Sequence, residues 1–196
     1  IRHCKYVSRC PSSPRISPPS SLVMNWHVVN PSSNCCLVVA GKRFYVERNY
    51  LSTQSTYFEA LFNSSGKEEF EIKGIDSEMF ATMMNVLHRF EIIGTNMFPV
   101  LDLSHKFGIK SVVDDCEQFL LRVGNIFPLG SRLFAADLYR LEQLKEVCMH
   151  ELKSSDCIAA LADLRNSEFW AMFSDNMKDQ FFDALMDDST NLLQRL

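Results

Sequence analysis

The amino-acid sequence predicts an α+β fold: a small sheet interleaved with helical hairpins, followed by an α-helical extension. Three observations lead there. Strand-like runs fall only before residue 74, where they alternate or are too short for a lone helix. Between and after them, apolar residues recur at three- and four-residue steps, the period of an amphipathic helix. Past Gly124 and Pro128 only the helical period remains.

The stretch Leu37–Phe62, LVVAGKRFYVERNYLSTQSTYFEALF, organises the first part. Leu37, Val38 and Val39 read as a buried strand and Ala40–Gly41 as a tight turn. In the second strand Phe44 and Val46 face one way, and Arg43, Tyr45 and Glu47 the other. From Tyr50 the period lengthens through Leu51, Tyr57, Phe58, Leu61 and Phe62, giving two short helices. Ser55 is placed to cap the second, with Glu59 near its positive end.

A loop, Asn63–Glu69 (NSSGKEE), then leads to a short strand, Phe70–Lys73. Ser77–Phe90 reads as a helix with Ser77 as N-cap and Glu78 in its first turn. Its stripe of Met79, Phe80, Met83, Met84, Val86, Leu87 and Phe90 is wide enough to pack a core, although a methionine-rich face also suits a promiscuous groove. Gly94 ends this element, and Thr95 or Asn96 can cap Met97–Lys106, where Pro99 is tolerated in the first turn and Gly108 supplies a left-handed stop. Ser111 is expected to cap Val112–Arg122, with Asp114 and Asp115 near its start and Val113, Cys116, Phe119 and Leu120 inward.

In the extension, Leu133, Phe134, Leu138 and Tyr139 mark one helix, and Leu141, Leu144, Val147, Cys148 and Leu152 the next. Ser155 or Asp156 can cap Cys157–Leu164, and Ser174 can cap Asp175–Met186. The resulting organisation is a basic Pro/Ser-rich segment (1–25), a folded domain (26–124), a helical extension (125–187) and a tail (188–196) expected to fray.

Residues 1–21 hold four basic residues, no acidic ones, and prolines at 11, 14, 18 and 19, a composition that cannot bury a core. A transit peptide shares the Arg/Ser bias and lack of acids, but the prolines oppose the amphipathic helix it needs. No apolar h-region marks a secretory signal. Because Ile1 opens the sequence and Met24 its globular part, a truncated N-terminus is expected.

Composition narrows the function. The chain has 196 residues, 46% hydrophobic and 22% charged, ordinary values for a packed fold. A net charge of −4 gives no electrostatic case for nucleic acid, and no apolar run approaches a membrane span. Seven cysteines without a C-x-x-C pair point away from zinc or redox work. Cys116 and Cys148 sit on apolar helix faces as small hydrophobes, which suits the cytoplasm or nucleus.

Candidate chemistry is sparse. His27 has no partner at metal-ligand spacing. Asp102, Ser104 and His105 are close in sequence, but helix residues one or two apart do not face each other. A triad also needs a strained nucleophile turn and an oxyanion hole. The expectation is no enzyme, no cofactor and no metal.

The residues Phe44, Val46, Leu51, Ser55, Tyr57, Phe58, Leu61 and Phe62 resemble the BTB/POZ signature, in the form found in nematode BTB and MATH-BTB proteins. FGIKSVVDDCEQFLL resembles the closing helix pair of such a domain, and LFAADLYRLEQLKEVCMHEL the 3-box or BACK-like helices that follow it. The resemblance implies a protein-interaction domain, commonly a homodimer, often an adaptor between a target protein and a cullin ubiquitin-ligase scaffold. It places Asn34 and Arg48 in a pocket at the dimer surface. Family members commonly carry Asp at the first position, and an Asn amide can still accept from a guanidinium. It places Lys67, Glu68 and Phe70 toward the cullin, with Gly66 where relatives have an apolar contact. The extension helices add to that surface. A self-associating scaffold without a cullin is the alternative. With 25 residues ahead of the domain, a MATH-like domain before residue 26 is not expected.

Overall fold

The computed structural model describes residues 24–89, 91–92, 94–123, 126–154 and 157–194. The expected disordered segment therefore lies almost wholly outside the described residues, as do Phe90 and the candidate caps Ser155 and Asp156. The chain divides into two compact units between Cys116 and Glu117.

The first unit opens with a hairpin, β1 (Cys35–Val39) and β2 (Lys42–Val46). Ala40 and Gly41 both have positive φ, 47° and 78°, the backbone of a tight hairpin turn whose twist matches the strands it joins. Helices α1 (Arg48–Gln54) and α2 (Thr56–Asn63) follow, then β3 (Glu69–Ile72), α3 (Ser77–Leu87), α4 (Met97–Lys106) and α5 (Lys110–Arg122). The sheet order is β2-β1-β3, with β1 antiparallel to β2 and parallel to β3. Phe70 pairs with Leu37 and Ile72 with Val39, so these four side chains share the buried face.

Phe44, Phe58, Phe80 and Phe107, each 0–1% exposed, join β2, α2, α3 and the end of α4. Their ring centroids lie 5.0 Å (Phe44–Phe80), 5.1 Å (Phe58–Phe107) and 5.9 Å (Phe80–Phe107) apart. Such pairs add about 0.5–1.5 kcal/mol each beyond area burial. Ser55 caps α2, accepting from Phe58 N–H at 3.1 Å, while its own hydroxyl donates to the Phe107 carbonyl at 2.5 Å.

Several expectations are corrected. The α3 cap is Asp76, whose carboxylate accepts from Glu78 and Met79 N–H at 2.9 and 3.0 Å, and Ser77 is the first helical residue. Helix α3 stops at Leu87 because Arg89 turns left-handed (φ 71°), and Met79 is 39% exposed rather than inward. Strand β3 begins at Glu69. Helix α5 starts at Lys110, so Ser111 lies inside it, and Val112 rather than Val113 is buried.

The second unit continues with α6 (Leu129–Tyr139), α7 (Glu142–Ser154), α8 (Cys157–Asn166), a 3-10 turn (Trp170–Met172) and α9 (Asp175–Gln194). Buried Arg132 donates to Glu151 at 2.8 Å and to the Phe127 carbonyl at 3.2 Å, so its charge is paired where burial would otherwise be costly. Glu117 accepts the Leu144 N–H at 3.0 Å. Ser174 caps α9 through Met177 N–H at 3.2 Å and bonds Asp137 at 2.6 Å. Leu138 and Val147, expected on core faces, are exposed. Helix α9 runs on to Gln194, over residues 188–194 where the sequence predicts a fraying tail, and no glycine or proline follows Gly130 to stop it.

Candidate functional site

The hairpin and α1 bring the expected site residues together. Asn34 N–H donates to the Val46 carbonyl at 3.1 Å, extending the hairpin ladder and setting Asn34 beside the start of α1. Its side-chain oxygen accepts the Arg48 backbone N–H at 2.7 Å. Helix α1 has no cap bond from Glu47, its own N-cap, so the residue just ahead of β1 satisfies one of its orphan donors. The expected amide–guanidinium contact is corrected here: Asn34 meets Arg48 through the main chain.

The Arg48 guanidinium points instead toward the loop between α2 and β3. Its carbon lies 5.4 Å from the Phe62 ring centroid and 5.6 Å from that of Phe70, within cation–π range of both. Nη2 donates to the Lys67 carbonyl. One residue on, the Glu68 carbonyl accepts Cys36 N–H at 2.8 Å. The loop is thus held by two successive carbonyls while the Lys67 and Glu68 side chains remain exposed. Gly66 has open space around it.

Phe70 takes the opposite role from an outward contact. It is buried, its ring 5.3 Å from Phe62, because the strand alternation that exposes Glu69 and Glu71 turns Phe70 inward. Beneath the cluster, burial pushes the Cys35 thiol up, outweighing the opposing pull of nearby Arg48. Phe62 was legible as an apolar helix position, but no sequence signal tied it or Cys35 to Arg48.

The Asp102, Ser104 and His105 group does not converge. Ser104 is buried and donates to the Val100 carbonyl at 2.6 Å, whereas Asp102 and His105 are exposed. His27 lies against Phe44 at 4.9 Å and its Nδ1 is 2.6 Å from the Arg43 carbonyl. Among the described residues, no group of three or more His, Cys, Asp or Glu is placed to hold a metal, and no helix is long and apolar enough to cross a membrane.

The family model for the BTB/POZ domain matches residues 30–123. The chain carries a BTB/POZ domain. It is similar to BTB and MATH domain-containing protein 36 of Caenorhabditis elegans, 29% identical over 66% of this chain and 42% of that protein. It is also similar to BTB and MATH domain-containing protein 15 of the same organism, 32% identical over 62% and 46%. The chain thus spans less than half the length of these curated relatives. The solved BTB domain of human Gigaxonin is 16% identical, with 57% of this chain and all of that chain covered at a TM-score of 0.42. The BTB domain is a protein–protein interaction module from a non-enzymatic family. It takes in β1–β3 and α1–α5, and the Arg48 cluster lies within it.

Proposed function

We propose that the chain self-associates through its BTB domain as a homodimer and acts as an adaptor, presenting a target protein to a cullin-based ubiquitin ligase. The observation that carries this reading is the tethered 64–68 loop, which exposes Lys67 and Glu68 on a backbone held from beneath. A surface fixed before binding loses less ordering entropy when a partner arrives. Lys67 and Glu68 are the contact residues in this reading, and Phe70 supports them from below. Asn34 and Arg48 stay beside the dimer surface but act within their own chain. The described cysteines are buried and form no disulfide with one another, which supports a reducing compartment, the cytoplasm or nucleus.

One observation favours a second reading. Gly66 leaves the loop without an apolar side chain at the position where the resemblance calls for one. A BTB scaffold that self-associates without a cullin accommodates that loop unchanged.

Light scattering of the full chain, alone and mixed with the N-terminal domain of a cullin, separates the two. A dimer that shifts to a larger complex, and fails to shift as Glu68→Lys, supports the adaptor. A dimer indifferent to the cullin supports the scaffold, and a monomer refutes self-association.

A further inference from the structure

We infer that Arg48 is a positioning residue, a latch that sets the shape of the 64–68 loop before any partner arrives. The inference rests on the function proposed above only for what meets the loop, not for the latch itself.

The loop begins where α2 ends at Asn63 and finishes where β3 starts at Glu69. Phe62 and Phe70 therefore stand just outside its two ends, and one guanidinium lies against both rings, at 5.4 and 5.6 Å. The same group donates to the Lys67 carbonyl in the loop itself. Arg48 is anchored in turn, its backbone N–H held by Asn34 at 2.7 Å. A single side chain thus ties both ends and the middle of the loop to the start of α1.

Other restraints on the loop are few. Ser64 N–H closes onto the last turn of α2 at 3.1 Å, and the Glu68 carbonyl joins β1. Between them stands Gly66, whose missing side chain leaves the backbone free to sample many conformations. Lysine could not replace the latch, because a planar guanidinium stacks on rings and donates from its edge at once, whereas an ammonium is a point charge.

The test is tryptic cleavage of the full chain, followed by mass spectrometry, for wild type, Arg48→Met and Arg48→Lys. Cleavage of the Lys67–Glu68 bond requires the loop to open and its carbonyl to be released. The rate at this bond should rise about tenfold in Arg48→Met, the size expected from losing cation–π contacts and a charge-assisted hydrogen bond at a half-buried site. Arg48→Lys should give a smaller rise. Cleavage after Lys106, the last residue of α4, reports an opening at the end of that helix that leaves the Arg48 contacts intact, and it should stay at the wild-type rate.

An unchanged rate at Lys67 in Arg48→Met overturns the latch, as does a rise matched by an equal rise at Lys106. Titration with the cullin N-terminal domain then addresses recognition: weaker binding by Arg48→Met supports positioning, and equal binding overturns it. A wild-type chain that ignores the cullin overturns the proposed function, and the latch is then decided by the cleavage rates alone.

Discussion

The Trp26 indole N–H donates to the Asn85 side-chain oxygen at 2.8 Å, joining residues 59 positions apart. Trp26 also offers its carbonyl to Tyr45 N–H at 2.8 Å and sets its ring 4.9 Å from His88. The segment ahead of β1 is thereby fastened to both β2 and α3. Trp26→Phe keeps most of the apolar contact and removes the donor, so it should cost about 1–2 kcal/mol in urea unfolding. Combined with Asn85→Ala, the losses should fall short of additivity by about 1 kcal/mol. Full additivity would show that the bond contributes nothing.

His88 lies between Trp26 and Tyr50, each 4.9 Å away. Burial holds its pKa below the ordinary histidine value, against a weaker upward pull from Glu47. The unfolded chain therefore binds this proton more readily than the folded one. Stability is fully present above the unfolded pKa of about 6.5 and is lost as pH falls toward the folded value. Melting curves between pH 7.5 and 5 should show a steeper acid loss for wild type than for His88→Gln. Parallel losses would remove His88 from the acid response.

Much of this architecture was legible because it is local. Ala40–Gly41 marks a hairpin turn by residue type, and Ser55 announces a helix start by standing before an amphipathic run. The parallel pairing of β1 with β3 has no such signature, since it depends on where the intervening α1–α2 hairpin returns the chain. Asp76 and Ser77 are both good caps, and the choice between adjacent residues is made by backbone geometry. Phe70 shows the hazard of the opposite kind: its alternation with Ile72 already pointed inward, and the family resemblance drew it outward. The reach of Arg48 to Lys67 is wholly tertiary, because a long side chain finds its partners only after the strand and both helices are placed.

Ser55 does two jobs with one hydroxyl, capping α2 and donating to the Phe107 carbonyl. Ser55→Ala should cost about 2–3 kcal/mol, combining loss of a cap with loss of a partner for a buried carbonyl. A decrease under about 0.5 kcal/mol, the scale of an ordinary surface change, would mean that neither bond matters.

The buried thiols should be inert. Burial pushes Cys116 up to about 12 and Cys148 up to about 11, and it also raises Cys35 and Cys36. Only the thiolate attacks an alkylating reagent. Iodoacetamide at neutral pH should leave these four unlabelled in the native chain and label all of them in urea. Rapid native labelling of Cys116 would mean that its helix opens readily.

Asn34 offers the most direct test of the site, because its side chain joins the segment ahead of β1 to the start of α1. Its side-chain oxygen accepts the first N–H of α1 at 2.7 Å, and a carboxylate there could accept the same bond. It would also bring a full negative charge to the positive end of the helix. Asn34→Asp should therefore stabilise the domain by about 0.3–1 kcal/mol at low ionic strength, and salt should shrink the gain. Asn34→Ala removes the acceptor and should cost about 1 kcal/mol. Arg48 N–H is fixed by this bond while its guanidinium holds the loop, so the alanine variant should also loosen the loop, raising tryptic cleavage after Lys67. A variant destabilised in melting but with wild-type cleavage at Lys67 would show that the cap and the loop tether work independently.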